Sequence, residues 1–292
     1  MSKPLPLALD ADLGSWTSDT GGRVAYYSDL SGTEGRPLLL LHSMNASPSA
    51  MEVKPLFERY RGSRPVYAPD LPGFGQSQRG ARDYTPELYA ETIRGFLSEV
   101  IGGPTDLVTL STSAEFAARA ALDCDNVHSL TLISPTGFGA RPRPDRATRD
   151  RLFRFLSIPV IGSSLYRLLT IKPSVRYFLN QQFEGRPPAE LLNYSHRTTK
   201  EAGARFAPFC FLSMRLFTED APAALYRWVT VPVLVLYDRD PNITFDRLPE
   251  VVDQCQNWHS VRISPTLSLP HWEEPEQTFA ALDAFWGAEP GD

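Results

Sequence analysis

Apolar residues in this chain fall into short runs bounded by turn residues, and the runs alternate with stretches of helical periodicity. The runs are PLLLLHS (37–43), PVYAPD (65–70), TDLVTLS (105–111), SLTLIS (129–134), VPVLVLYD (231–238) and SVRIS (260–264). Their length and punctuation predict strands buried on both faces of a sheet. Arg23 to Leu30, after the Gly21-Gly22 turn, predicts an antiparallel edge hairpin. Between the strands, Thr85 as N-cap and Pro86 at the first helical position start a helix reaching about Gly102. Ala114–Leu122 and Glu276–Trp286 predict two more. Strand and helix in alternation imply an α/β fold with a mostly parallel, doubly wound sheet.

From Gly139 to Trp228 that rhythm stops: the segment is helical in pattern and rich in arginine and aromatic residues. It predicts a helical cap (139–228) inserted into a core formed by 1–138 and 229–292. Its aromatics, among them Phe153, Phe155, Tyr166, Tyr177, Phe178 and Phe209, either line a pocket between cap and core or hold the cap together.

Composition narrows the partners. With 292 residues, 42% apolar and 22% charged, the chain can bury a full core, so disorder is excluded. A net charge of -5 without a clustered basic face argues against nucleic acid and leaves an apolar small molecule as the expected ligand. Cys124, Cys210 and Cys255 are odd in number and widely spaced, which fits reduced thiols and neither a metal site nor a disulfide framework. No metal or cofactor is expected. The start MSKPLPLALDADLG lacks a signal-peptide core, and no run approaches the ~18 apolar residues of a spanning helix. A cytoplasmic protein with no membrane partner is therefore expected, and homodimerisation is compatible with the sequence.

Three loops at predicted C-terminal strand ends, where open parallel sheets place ligands, carry candidate chemistry. In LLLLHSMNAS a strand ends at His42-Ser43, and the N–H of Met44 could donate to a developing oxyanion. In DLVTLSTSAEF a strand turns at Ser111-Thr112 into a helix whose N-terminus favours negative charge. In VPVLVLYDRDPNI, Asp240 follows the strand by a short loop and could orient a base, with Asp238 a weaker candidate.

Together with Asp70 and LPGFGQS (71–77), which looks like a D-x-P-G-x-G-x-S segment, and SPTGFG (134–139), these loops resemble the α/β-hydrolase superfamily. The likeness is greatest to the capped branch of haloalkane dehalogenases, epoxide hydrolases and carbon–carbon bond hydrolases, and it spans nearly the whole chain. It implies a serine nucleophile at Ser111, a histidine that takes its proton and a carboxylate that holds the histidine's tautomer. The chain departs from that pattern. Thr109 and Ser113 stand where the family's turn has glycines, and Ser43 follows His42 in place of glycine. In Leu267-Ser268-Leu269-Pro270-His271-Trp272-Glu273-Glu274-Pro275 the resemblance aligns Ser268 with the family's catalytic histidine, and His271 comes three residues later.

A serine hydroxyl does not titrate near neutral pH and cannot act as a general base. Either the loop is displaced so that His271 reaches Ser111, or Ser111 is not activated for ordinary acyl transfer. Among the other histidines only His42 and His196 could approach the pocket, because His128 and His259 precede strands. Glu115, one turn after Ser111, pairs with Arg119 in the simpler reading and is a buried acid in the other.

The leading expectation is an enzyme acting on a bulky aromatic or polyketide-like molecule. It would polarise a carbonyl or enolate for non-hydrolytic chemistry: carbon–carbon bond formation, addition, cyclisation or lyase cleavage. The excess of arginine over lysine hints at a GC-rich bacterial source, where natural-product tailoring enzymes are common. The alternatives are a conventional hydrolase of esters or carbon–carbon bonds using Ser111, His271 and Asp240, and a catalytically dead receptor.

Overall fold

The computed structural model describes residues 4–140 and 143–287. The first three residues of the predicted core, its last five and Arg141-Pro142 of the predicted cap lie outside the described residues. Eight strands form one sheet: β1 (Asp12–Ser18), β2 (Gly22–Asp29), β3 (Leu38–Leu41), β4 (Val66–Pro69), β5 (Thr105–Leu110), β6 (Val127–Ile133), β7 (Val233–Tyr237) and β8 (Trp258–Arg262). Their spatial order is β1-β2-β4-β3-β5-β6-β7-β8. The first two pairings are antiparallel and the rest parallel. Every expected strand is present.

Period-two alternation decides which face each side chain serves. In β3, Leu39 and Leu41 enter the core on one face with Leu107, Leu130 and Leu132, while Leu38 and Leu40 join Val108, Leu110 and Ile133 on the other. The hairpin partner β1 escaped the hydrophobic pattern because it lies at the sheet edge with most of its residues exposed or half-buried. Two boundaries differ from expectation. His128 and His259 lie inside β6 and β8 rather than before them. In β8 only Trp258 is buried, so a polar edge strand gave no apolar run over its full length.

The helices flanking the sheet are α1 (Lys54–Tyr60), α2 (Pro86–Gly95) and α3 (Ser113–Ala121). Thr85 caps α2, its hydroxyl accepting from Leu88 N–H, as its sequence implied. The helix then widens into a π-helical turn, Phe96–Ile101, that ends at Gly102 in the left-handed region. Between β6 and β7 lies the helical insert: α4 (Arg146–Ser157), α5 (Pro159–Leu169), α6 (Lys172–Asn180), α7 (Ala189–Thr198), α8 (Phe206–Leu212) and α9 (Ala221–Ala224). Finally, α10 (Leu248–Gln254) precedes β8, and α11 (Pro270–Glu273) and α12 (Pro275–Gly287) follow it.

The insert's aromatics divide three ways. Tyr166 and Phe209 form a small cluster of the insert's own with Leu156 and Ala204, Phe183 joins the main core, and Phe155, Tyr177 and Phe178 face solvent. The last three therefore do not line an interior pocket.

Candidate active site

The turn from β5 into α3 is strained at one residue. Ser111 has φ of 53°, a left-handed conformation that costs a non-glycine residue about 1–2 kcal/mol. It is held there by its N–H donating to Ile133 O (2.9 Å) and its carbonyl accepting from Ala114 N–H (3.2 Å) and Thr136 N–H (3.4 Å). Leu110 and Thr112 on either side are buried, whereas Ser111 is only half-buried. The strain therefore lifts one hydroxyl out of an otherwise closed corner.

The loop after β3 is bolted to that corner. Ser113 Oγ donates to the carbonyl of His42 (2.5 Å), and Ser43 N–H donates to Glu52 Oε2 (2.8 Å). Glu52 also accepts from Asn45 Nδ2 (2.8 Å), and burial pushes its carboxyl up from the ordinary range. Ser43 has thus spent its amide on Glu52. Among the described residues no acceptor serves the buried N–H groups of Met44 and Thr112, the two amides the sequence pattern places around a developing oxyanion.

The motif from Asp70 to Ser77 stiffens the same loop from below. Asp70 accepts from Ala50 N–H and Gln76 N–H, each at 2.8 Å. Gly75 must be glycine, since a Cβ there would stand 1.8 Å from the Asp70 carboxyl carbon and its φ is 47°.

Asp240 and Ser268 meet as the register implied. Ser268 Oγ donates to Asp240 Oδ2 (2.5 Å), while Asp240 Oδ1 accepts from Asn242 N–H (2.7 Å) and Ile243 N–H (2.9 Å). Burial raises the Asp240 carboxyl, and the Ser268 hydroxyl and the two amides offset part of that rise. The loop is further fixed by Ser268 N–H donating to Gln182 O of the insert (3.2 Å).

Neither candidate histidine joins this pair. The short helix α11 turns His271 inward, where its Nε2 donates to the carbonyl of Glu52 (2.7 Å) beside Trp272 Nε1, which donates to the same oxygen (2.7 Å). Its Nδ1 has no partner among the described residues, and burial lowers the imidazole to about 4. His42 is equally committed. Leu71 N–H donates to its Nε2 (2.9 Å), so Nδ1 carries the proton and donates to Ser43 O (2.7 Å). Burial lowers His42 to about 4 as well. His196 lies in α7 with Nδ1 on Thr170 O (3.1 Å). In this structure His271 is engaged with the Glu52 carbonyl.

Glu115 corrects the simpler reading of its role. It is fully buried and accepts from Thr136 Oγ1 (2.5 Å), Thr218 N–H (2.6 Å) and Arg143 Nη2 (3.4 Å). Arg119 pairs instead with Glu87 at 3.8 Å. Glu115 therefore ties the elbow helix to the beginning and end of the insert. Asp238 is held by Arg262 Nε (2.6 Å) and Thr266 N–H (3.0 Å). Sequence reasoning missed Glu52, whose only signal was an acidic residue at the start of a helix nine positions beyond Ser43.

At the junction of insert and core, Ala46, Phe74, Arg79 and Tyr166 border a cavity of about 10 Å³, room for roughly one water. Tyr166 Oη donates to Ala46 O (3.1 Å), closing the insert over the β3 loop.

An eight-stranded, mostly parallel sheet with a strained serine between the fifth strand and its helix defines the α/β-hydrolase class. The chain belongs to the Alpha/beta hydrolase family, whose model matches residues 38–282. Solved structures agree in fold. A serine hydrolase involved in carbazole degradation has a TM-score of 0.73 at 16% identity, covering 94% of this chain and 99% of the other. An esterase from Thermogutta terrifontis gives 0.71 at 21% (95% and 98%), and E-2-(acetamidomethylene)succinate hydrolase 0.67 at 20% (95% and 100%). A search of curated proteins finds no significant match.

Proposed function

We propose that this protein is an enzyme that binds the carbonyl group of a largely apolar small molecule at Ser111 and transforms it without a histidine general base. In this reading the insert is a cap over the site, and the Met44 and Thr112 amides hold the carbonyl oxygen as negative charge develops. The observation that carries it is the hydrogen bond from Ser268 to Asp240, Ser268 being the residue that the resemblance aligns with the family's catalytic histidine, with His271 and His42 both committed elsewhere. Ser111 then serves to orient the carbonyl, and the chemistry falls among additions, cyclisations, carbon–carbon bond formation and lyase cleavages of activated carbonyl compounds.

The family match and the solved neighbours, which are named as hydrolases and esterases, favour a second reading: hydrolysis through Ser111, His271 and Asp240. It requires α11 to unwind and His271 to leave the Glu52 carbonyl. Steady-state turnover of p-nitrophenyl esters and labelling by a fluorophosphonate separate the two. Inertness in both assays, with carbonyl ligands bound more weakly after Ser111→Ala, supports the first reading. Turnover lost in both Ser111→Ala and His271→Ala replaces it with the second. Saturable binding indifferent to Ser111→Ala makes the protein a receptor.

A further inference from the structure

The outward face of the insert is apolar where a helix surface is normally polar. On α5, beyond Pro159 at its start, the exposed positions fall at 160, 161, 164, 167 and 168, one stripe of the helix, and they include Val160 (77% exposed), Ile161 and Leu168 (63%). The neighbouring elements continue it with Leu152 and Phe155 (48%) on α4, Ile158 and Ile171 at the helix junctions, and Tyr177 (60%) against Phe178 on α6. No single helix among the described residues is long and apolar enough to cross a membrane, and α4 and α5 meet at 90°. That geometry suits lying on a surface.

Charge selects the occupant. Residues 146–180 carry a net +6 in a chain whose total is -5, leaving -11 on everything else. Arg151, Arg154, Arg167, Lys172 and Arg176 are exposed around the stripe, and none forms an ion pair with a carboxylate among the described residues. A second copy docking two-fold on this patch would set like charges against each other. An anionic bilayer satisfies both features, since apolar side chains enter the acyl boundary while arginines meet headgroups.

We infer that the α4–α6 face is a docking surface for an anionic lipid membrane, in contrast to the absence of a membrane partner expected from the sequence. The inference stands independently of the reaction at Ser111. It also has a route to the site, because Tyr166 of the docked helix α5 is hydrogen-bonded to the β3 loop.

Flotation of the full chain with vesicles of phosphatidylcholine alone, or with 30% phosphatidylglycerol, tests it. Binding to the anionic vesicles is expected, falling about fivefold for each basic residue reversed in Arg167→Glu and Arg176→Glu. A loss of about tenfold or more is expected for each of Val160→Asp and Leu168→Asp. These positions are exposed, so far-UV circular dichroism should remain native. No binding to anionic vesicles, equal binding by all four variants, or a concentration-dependent dimer in sedimentation that Val160→Asp dissolves would overturn the inference. Loss of vesicle binding with unchanged turnover of soluble substrate would leave the proposed chemistry untouched.

Discussion

If Ser111 lacks only a general base, as proposed, replacing Ser268 by histidine should create ester hydrolase activity. The carboxylate needed to orient the new imidazole is already in place, since Asp240 accepts from Ser268 Oγ at 2.5 Å and is itself fixed by Asn242 and Ile243 N–H. An Nδ1–H would replace the hydroxyl as donor, fixing the tautomer and leaving Nε2 as acceptor toward the cleft. A positioned general base contributes about 10²- to 10⁴-fold, which is about 3–5 kcal/mol of barrier. Position 268 is half-buried, so crowding should cost at most about 1–3 kcal/mol of stability. The assay is turnover of p-nitrophenyl butyrate with fluorophosphonate labelling in parallel. Ser268→His should gain at least a hundredfold over the parent, with a rising limb near the ordinary histidine range. The gain should vanish in Ser268→His/Ser111→Ala and fall steeply in Ser268→His/Asp240→Asn. A folded Ser268→His protein with no gain would refute the argument that Ser111 lacks only its base. A parent already active, and silenced by His271→Ala, would refute it from the other side.

The pH dependence of stability offers a second check. His42 and His271 are held near 4 when folded against an ordinary 6.5, so each favours the folded state fully above 6.5 and loses that contribution as pH falls toward 4. Each should account for roughly 3 kcal/mol across the window. Buried Glu52, Asp70 and Asp240, raised instead, act in the opposite sense, so the test is the slope difference between the parent and His271→Phe in guanidinium melts from pH 7.5 to 4.5; parallel slopes would contradict it. Thr109→Val should raise Tm by about 2 °C, because the Thr109 hydroxyl is buried without a partner, and a lower Tm would show that it has one. Glu115→Ala should cost about 3 kcal/mol by stranding Arg143 and the Thr218 amide, whereas a cost under about 1 kcal/mol by urea melts would show that the insert is anchored elsewhere.

The sheet was legible because a strand covered on both faces must be apolar at every position, and such runs stand out against turns without tertiary information. Where a strand lies at an edge that pressure disappears, so β1 went unseen and the start of β8 was placed late; in the central strand β6 the half-buried His128 interrupts the apolar run instead. The elbow was legible through the family resemblance rather than local preference, since a left-handed conformation is disfavoured for serine. The Ser268–Asp240 pairing was implied by the family resemblance, and the two loops do leave adjacent parallel strands. The fates of His271, His42 and Glu115 did not follow. Each depends on a partner far away in the chain: Glu52 carbonyl for His271, Leu71 N–H for His42, and Thr136, Arg143 and Thr218 for Glu115. One turn of helix at Pro270 decides whether an imidazole faces a cleft or a carbonyl. Local pattern specifies which residues can be buried; only the packed fold specifies which polar group each must then satisfy, because burial makes an unpaired donor too costly to leave to chance.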